Sequence, residues 1–197
     1  SYDSGKEGYT ARYVHETVAL AFSITEEAEE DGLYGSLGAK YARALARSMQ
    51  HTKEIKGANI LNNATTSSVG GDGQALLSAS HPLGGGGTAS NKLSTPADLS
   101  ETSLESLLIQ ISTAVDDRSI PIALTGQKLI VPPQLVFVAE RILKSNLRPA
   151  TADNDINAIK TGGYMPQGFC VNHFLTDTNA WFLTTDVPNG LKHFVRT

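Results

Sequence analysis

Apolar positions along the chain change period several times, and each change marks an element. From Tyr9 to Ile24 the sequence YTARYVHETVALAFSI alternates. Arg12, Val14, Glu16, Val18, Leu20 and Phe22 share one face of an extended chain; Tyr13, His15, Thr17 and Ala19 share the other. Neither face is cleanly apolar before Val18, so the pattern predicts a strand-like ribbon that lacks a core of its own and needs neighbours to cover it. From Leu33 to Asn62 the period lengthens to that of a helix: Tyr34, Leu37, Tyr41, Leu45, Met49 and Ile55 gather on one side, with Ala42, Ala44 and Ala46 filling in. Good helix formers dominate there, and thirty residues make a rod of roughly 45 Å. Gly32, Gly35 and Gly38 argue against one unbroken helix from Glu26. We therefore expect a short acidic helix capped by Thr25, a break at Gly32, and then the long helix. Its Tyr41, Leu45 and Met49 side is expected to be buried against a sheet that includes the base of the ribbon.

Beyond the long helix periodicity disappears. Residues 63–103 are enriched in Gly, Ser and Thr, with a Gly84–Gly87 tip, and about forty residues without periodicity are too many for an ordinary connection. The expectation is a functional or mobile loop, least ordered between Asn63 and Pro96. Gly70-Gly71-Asp72-Gly73 is a turn rather than a phosphate cradle, since no Lys-Ser/Thr follows it and it does not join a strand to a helix. Thr102 and Glu105 have capping-box spacing, and Leu104, Leu107, Leu108, Ile111 and Val115 form an amphipathic stripe ending near Asp117. Lys128–Val131 reads as a short buried strand. Pro132-Pro133 stops it and starts a helix over 133–145, with Leu135, Val138, Ala139 and Ile142 inward. After the polar stretch 150–163, Phe169–Leu175 and Ala180–Thr184 predict antiparallel strands around Asp177-Thr178-Asn179, and Leu191–Arg196 begins another. The result is an α+β domain that follows a ribbon-and-long-helix unit.

Composition changes this picture little. The chain has 197 residues, 40% hydrophobic and 18% charged, room for one large domain or two small ones. A net charge of −4 does not suggest a dedicated nucleic-acid or anionic-membrane binder. No apolar run approaches the roughly 20 residues that span a bilayer, so no membrane partner is expected. The single cysteine, Cys170, rules out an internal disulfide framework and a multi-thiol zinc site, and its setting in FCVNHFL predicts a buried small hydrophobe. The start at Ser1 without a methionine reads like a piece of a longer polypeptide. Charge distribution is more telling. Glu26, Glu27, Glu29, Glu30 and Asp31 precede Lys40, Arg43, Arg47, Lys53 and Lys56. Acids at a helix start and bases at its end complement the macrodipole. Alternatively, an acidic end and a basic end let identical copies dock side by side.

Catalytic signals are weak. His15, His51, His81, His173 and His193 show no metal-binding spacing, and there is no G-x-S-x-G elbow. A small hydrolase using His173 or His81 with a nearby serine stays open, because triad members need not be adjacent. The 26–31 carboxylates form a solvated run rather than a desolvated pair. No catalytic, cofactor or metal residue is assigned, and no cofactor is expected.

The order of parts does resemble a known family. The ribbon, SITEEAEED and the long helix lead into GGDGQALLSASHPL and SNKL; an amphipathic helix, KLIVPP and AWFL follow. Gly71-Asp72-Gly73 with Leu77, Ser78, His81 and Pro82, then Leu129 to Pro133, are the most specific pieces. From Tyr9 to Arg196 the chain resembles major capsid proteins of tailed phages, in particular Mu-like head subunits of the Hong Kong 97-like fold. The resemblance implies an α+β fold with an extended β-ribbon (E-loop) at 1–22, a peripheral domain with the spine helix at 23–70, a flexible Gly/Ser-rich loop at 71–101, an axial domain at 102–190, and a return toward the peripheral domain at 191–197. The family's N-terminal arm or scaffolding segment and the closing strand of the peripheral domain are expected outside this stretch. It further implies a non-enzymatic virion protein, made in the host cytoplasm, that assembles as hexamers and pentamers into an icosahedral shell. Implied partners are portal and scaffolding proteins and packaged double-stranded DNA, the last by non-specific contact. A non-viral compartment shell of the same fold is a further reading. Aromatic and arginine side chains tend to dominate interfaces. Candidate subunit contacts are therefore Tyr9, Arg12, Tyr13 and Glu16, with Glu26, Glu27, Glu29, Glu30 and Asp31 as a run that a neighbour's Arg12 could meet.

Overall fold

The computed structural model describes residues 8–10, 12–32, 34–67, 69–116, 118–148, 155–188 and 190–195. The expected starts or ends of elements at Leu33, Asp117 and Arg196, and ribbon residues 1–7, lie outside them. Helix α1 (Glu26–Glu30) is followed by Gly32 at φ +68°, a conformation that suits glycine and ends the helix, and then by α2 (Tyr34–Asn62). The break therefore falls where the glycines predict it, while Gly35 and Gly38 are absorbed into α2. Thr25 occupies the N-cap position of α1 but makes no side-chain capping bond.

The ribbon is corrected. Residues 8–10 and 12–24 are extended, yet none of them belongs to a strand. Alternation specifies an extended backbone; a β-ribbon also needs a partner strand for its N–H and C=O groups. Among the described residues, 191–195 form no strand either, so no sheet covers α2.

The 63–103 segment has its own scaffolding. An isolated bridge joins Val69 to Ala75, and β1 (His81–Pro82) pairs with β2 (Thr88–Ala89) across the glycine tip. Asn91 holds the preceding turn by accepting from Ser78 N–H at 2.9 Å and donating to the Leu76 carbonyl at 2.7 Å. Polar side chains bonded to backbone replace the missing apolar stripe, which hydrophobic periodicity cannot reveal.

The core lies in the later α+β unit. Helix α3 (Glu101–Ser112) starts two residues earlier than the Thr102/Glu105 spacing suggests: Ser100 is the cap, accepting from Ser103 N–H at 3.1 Å, while Ser100 N–H donates to Ser103 Oγ at 2.9 Å. Strand β3 (Gly126–Val131) runs into buried Pro132 and a 3-10 turn at Pro133–Leu135, then α4 (Val136–Lys144) and the short α5 (Ala158–Thr161). Strands β4 (Phe169–Val171) and β5 (Phe182–Thr185) complete a three-stranded sheet in the order β4-β3-β5. The expected hairpin is thus corrected: β4 is parallel to β3, β5 is antiparallel to it, and β3 lies between them. Leu129 and Val131, fully buried, take the central strand because alternate residues there bury against Leu104, Ala139, Ile142 and Ile159. Cys170, expected inside, points outward from edge strand β4 and is exposed, whereas Phe169 and Val171 turn toward the core. Asn157, 1% exposed, donates to the carbonyls of Ile142 (2.6 Å) and Ser145 (3.1 Å), locking α5 beneath α4. No helix among the described residues is long and apolar enough to cross a membrane.

Candidate subunit-contact surface

The candidate contacts are carried on α2 and on the extended segment beside it. The C-terminal end of α2 is held to the α+β unit: His51 meets Phe174 edge-on at 5.1 Å, and Asn62 donates to the Phe174 carbonyl (3.1 Å) while accepting from Thr176 N–H (3.1 Å). Most described side chains in the N-terminal half of α2 are exposed, and Tyr41 meets Phe22 of the extended segment.

That segment lies antiparallel to α2. Glu16 takes Lys56 Nζ at 2.7 and 2.8 Å, and Phe22 stacks on Tyr41 at 5.7 Å. Six extended residues (16 to 22) thus keep pace with fifteen helical ones (41 to 56), roughly 22 Å. Between the two contacts Leu45 and Met49 are half-buried, and Tyr41 remains 48% exposed. The predicted face is thus only partly covered: Leu37, Leu45 and Met49 are half-buried while Tyr41 and Ile55 are exposed, and an extended chain lies beside it where a sheet was expected.

Further out, the Tyr9 hydroxyl donates to the Pro82 carbonyl at 3.4 Å, and Tyr13 packs on Phe194 at 5.1 Å. Arg12 makes no ion pair among the described residues. Glu26, Glu27, Glu29, Glu30 and Asp31 all sit on α1 or its C-cap, exposed. Tyr9, Tyr13, Val14, Leu20 and Phe22 are 44–80% exposed on the segment, and Leu191, Phe194 and Val195 are 52–67% exposed next to it. Sequence reading missed Lys56 as the partner of Glu16 and Phe194 as the partner of Tyr13. Both are long-range pairings, and opposite charge or shared aromaticity was the only signal.

Sites for chemistry fare poorly. His81 Nδ1 lies 2.6 Å from Asp72 Oδ2, but His81 Nε2 is buried with no hydrogen-bond partner, so no serine hydroxyl is held against it. The pairing ties the 69–75 turn to the β1–β2 hairpin, and hydrogen bonding from His81 holds the Asp72 carboxyl below its usual pKa. His173 is exposed, and Asp177 Oδ1 accepts from Asn179 N–H at 2.9 Å. A cleft of about 520 Å³ is bordered by Lys144 and Lys160, both already engaged, Lys144 with Glu140 and Lys160 with the Lys144 carbonyl. Among the described residues no three His, Cys, Asp or Glu side chains group as metal ligands would.

An extended segment, a partly bare helix and a small offset core describe a component of something larger, and a family model for phage capsid proteins matches residues 8–196. The chain belongs to the phage capsid protein family. No curated protein and no solved structure matches it. Membership makes this capsid protein a structural virion component.

Proposed function

We propose that the chain is the major head subunit of a tailed phage or prophage, of the Hong Kong 97-like fold and its Mu-like branch. It self-assembles as hexamers and pentamers into the icosahedral shell around double-stranded DNA. On this reading the extended loop is 1–22, α2 is the spine of the peripheral domain, 71–101 is a surface loop and 102–190 is the axial domain. Tyr9, Arg12, Tyr13 and Glu16, with the acidic residues of α1, are subunit contacts. Glu16 acts there by fixing the segment on its own spine through Lys56. Portal and scaffolding proteins are partners during assembly in the bacterial cytoplasm, and the packaged DNA is touched without sequence preference.

One observation carries the reading. The isolated chain exposes 14134 Å², whereas a compact monomer of this length exposes roughly 9,000 Å². The excess is enough for several standard interfaces. The test is expression of the full-length protein followed by sedimentation velocity and negative-stain microscopy. Closed particles of uniform diameter are expected; a monomer at every concentration and salt would refute the proposal.

A further inference from the structure

Eleven charged side chains lie between Glu26 and Lys56, and helix dipoles account for only part of their arrangement. If they complemented a helix macrodipole, acids would occupy the first turn of α2 and bases its last turn. Neither is present. The acids sit instead on α1, a helix of five residues: Glu26, Glu27 and Glu29 lie in its first turn, which the dipole favours, but Glu30 and Asp31 lie at its C-terminal end, where it disfavours negative charge. The bases fall along the body of α2. Lys40, Arg43 and Arg47 are spaced i, i+3 and i+7, so they form one exposed ridge, which Glu54 bounds two turns further on.

Neither cluster is neutralised by another of the described residues. Among the described residues, Glu26, Glu27, Glu29, Glu30 and Asp31 make no ion pair, and neither do Lys40, Arg43 and Arg47. Lys56, the one base of α2 that is paired, faces Glu16 on a different side of the helix. The two patches match in length: the ridge from Lys40 to Arg47 is roughly 10 Å long, and α1 with its cap is roughly 8 Å. Five mutually repelling carboxylates and three aligned cations, both solvent-facing, are complementary surfaces on separate elements.

We propose that the acidic helix α1 of one copy docks on the Lys40–Arg43–Arg47 ridge of the next. This rests on the shell reading above and specifies one of its contacts. Because the two patches differ, the contact is head-to-tail and propagates into a ring when the rotation closes. A row of three cations matches the run better than the single Arg12 does. A nucleic-acid phosphate backbone would also suit the ridge, but the chain already carries the matching acids and is net negative, at −4.

The test uses the full-length protein and three variants: Arg43→Glu/Arg47→Glu, Glu27→Lys/Glu30→Lys, and all four changes together. These positions are exposed, so unchanged circular dichroism is expected. Particle yield of the parent should fall between about 0.1 M and about 1 M salt, as the Debye length contracts from ~10 to ~3 Å. Each two-site reversal should cut yield about tenfold or more, and the fourfold reversal should recover to within about twofold of the parent. Mixing the two two-site variants should likewise restore association, because each then presents the charge that the other needs. Normal particles from either two-site variant, or no recovery in the fourfold variant, would overturn the proposal while leaving the shell reading intact. Normal shells that retain less DNA when the ridge is reversed would assign the ridge to nucleic acid instead. If the parent forms no particles at all, the shell reading fails and this contact with it.

Discussion

Three aspartates hold connections in this molecule with hydrogen bonds that only the ionised carboxylate accepts fully. Asp186 accepts from Thr125 N–H and the Thr125 hydroxyl, each at 2.8 Å, and these bonds, the backbone one foremost, keep its carboxyl below its usual pKa. Asp116 is lowered in the same way by the N–H groups of Ile120 and Arg118, and Asp72 chiefly by His81. A folded pKa below the unfolded one means that the stabilisation is complete above the unfolded value and is lost as pH falls through the folded one. Asp186→Asn is expected to lower the urea midpoint near neutrality. The gap from the parent should then narrow as pH drops below the ordinary 3.8. A gap that is constant across that range in urea titrations would mean that the carboxylate's charge is not what closes the end of β5 onto the residue before β3.

Helix α2 shows how an element can be long without being buried. Helices in folded proteins owe little to propensity, and tertiary packing supplies most of their stability. Here that packing is confined to the C-terminal turns against Phe174 and Thr176 and to the stripe beneath the extended segment. Leu45 is half-buried in that stripe, so Leu45→Asp loses part of a leucine's burial and sets a charge beside apolar surface that still touches water. An expected loss of about 1–2 kcal/mol follows, less than a fully enclosed site would give. Denaturation of the variant at equal stability to the parent would show that the extended segment does not cover this face. The Glu16–Lys56 pair on the same side is exposed on both partners, so it fixes register and adds little stability.

At the scale of the molecule, the nine buried apolar side chains found among the described residues lie either between Leu99 and Ile159 or at Ala58 and Ala64, and none lies on the extended segment. A subunit built this way is stabilised by its neighbours through mass action. Tyr9–Phe22 should therefore exchange backbone hydrogens quickly in the dissociated subunit and become protected in assembled particles. Arg12→Glu, changing an exposed residue with no ion pair of its own among the described ones, should leave circular dichroism unaltered and reduce particle yield. Unchanged exchange on assembly would remove the segment from the interface, and normal yield would remove Arg12.

Much of this was legible in the chain because local rules decide it. The Gly32 break needed only backbone freedom, α2 needed only its period and its helix formers, and the β3–Pro132–α4 corner needed an apolar run followed by two prolines. Reading the ribbon as extended was equally local. Whether that extended chain pairs as a strand, which strand sits at the centre of the sheet, and which way Cys170 faces were decided by partners far away in sequence. Ladder hydrogen bonds and burial are properties of two surfaces meeting, and one segment carries only half of each. The 69–91 region was opaque for a different reason: it is organised by Asp72, His81 and Asn91 bonding to particular groups, an order that leaves no trace in hydrophobic periodicity. The charges on α1 and α2 lie between these cases. Their spacing can be read directly from the residues, but only the tertiary structure showed that both clusters make no ion pair with any of the described residues, since pairing depends on where the chain directs two helices.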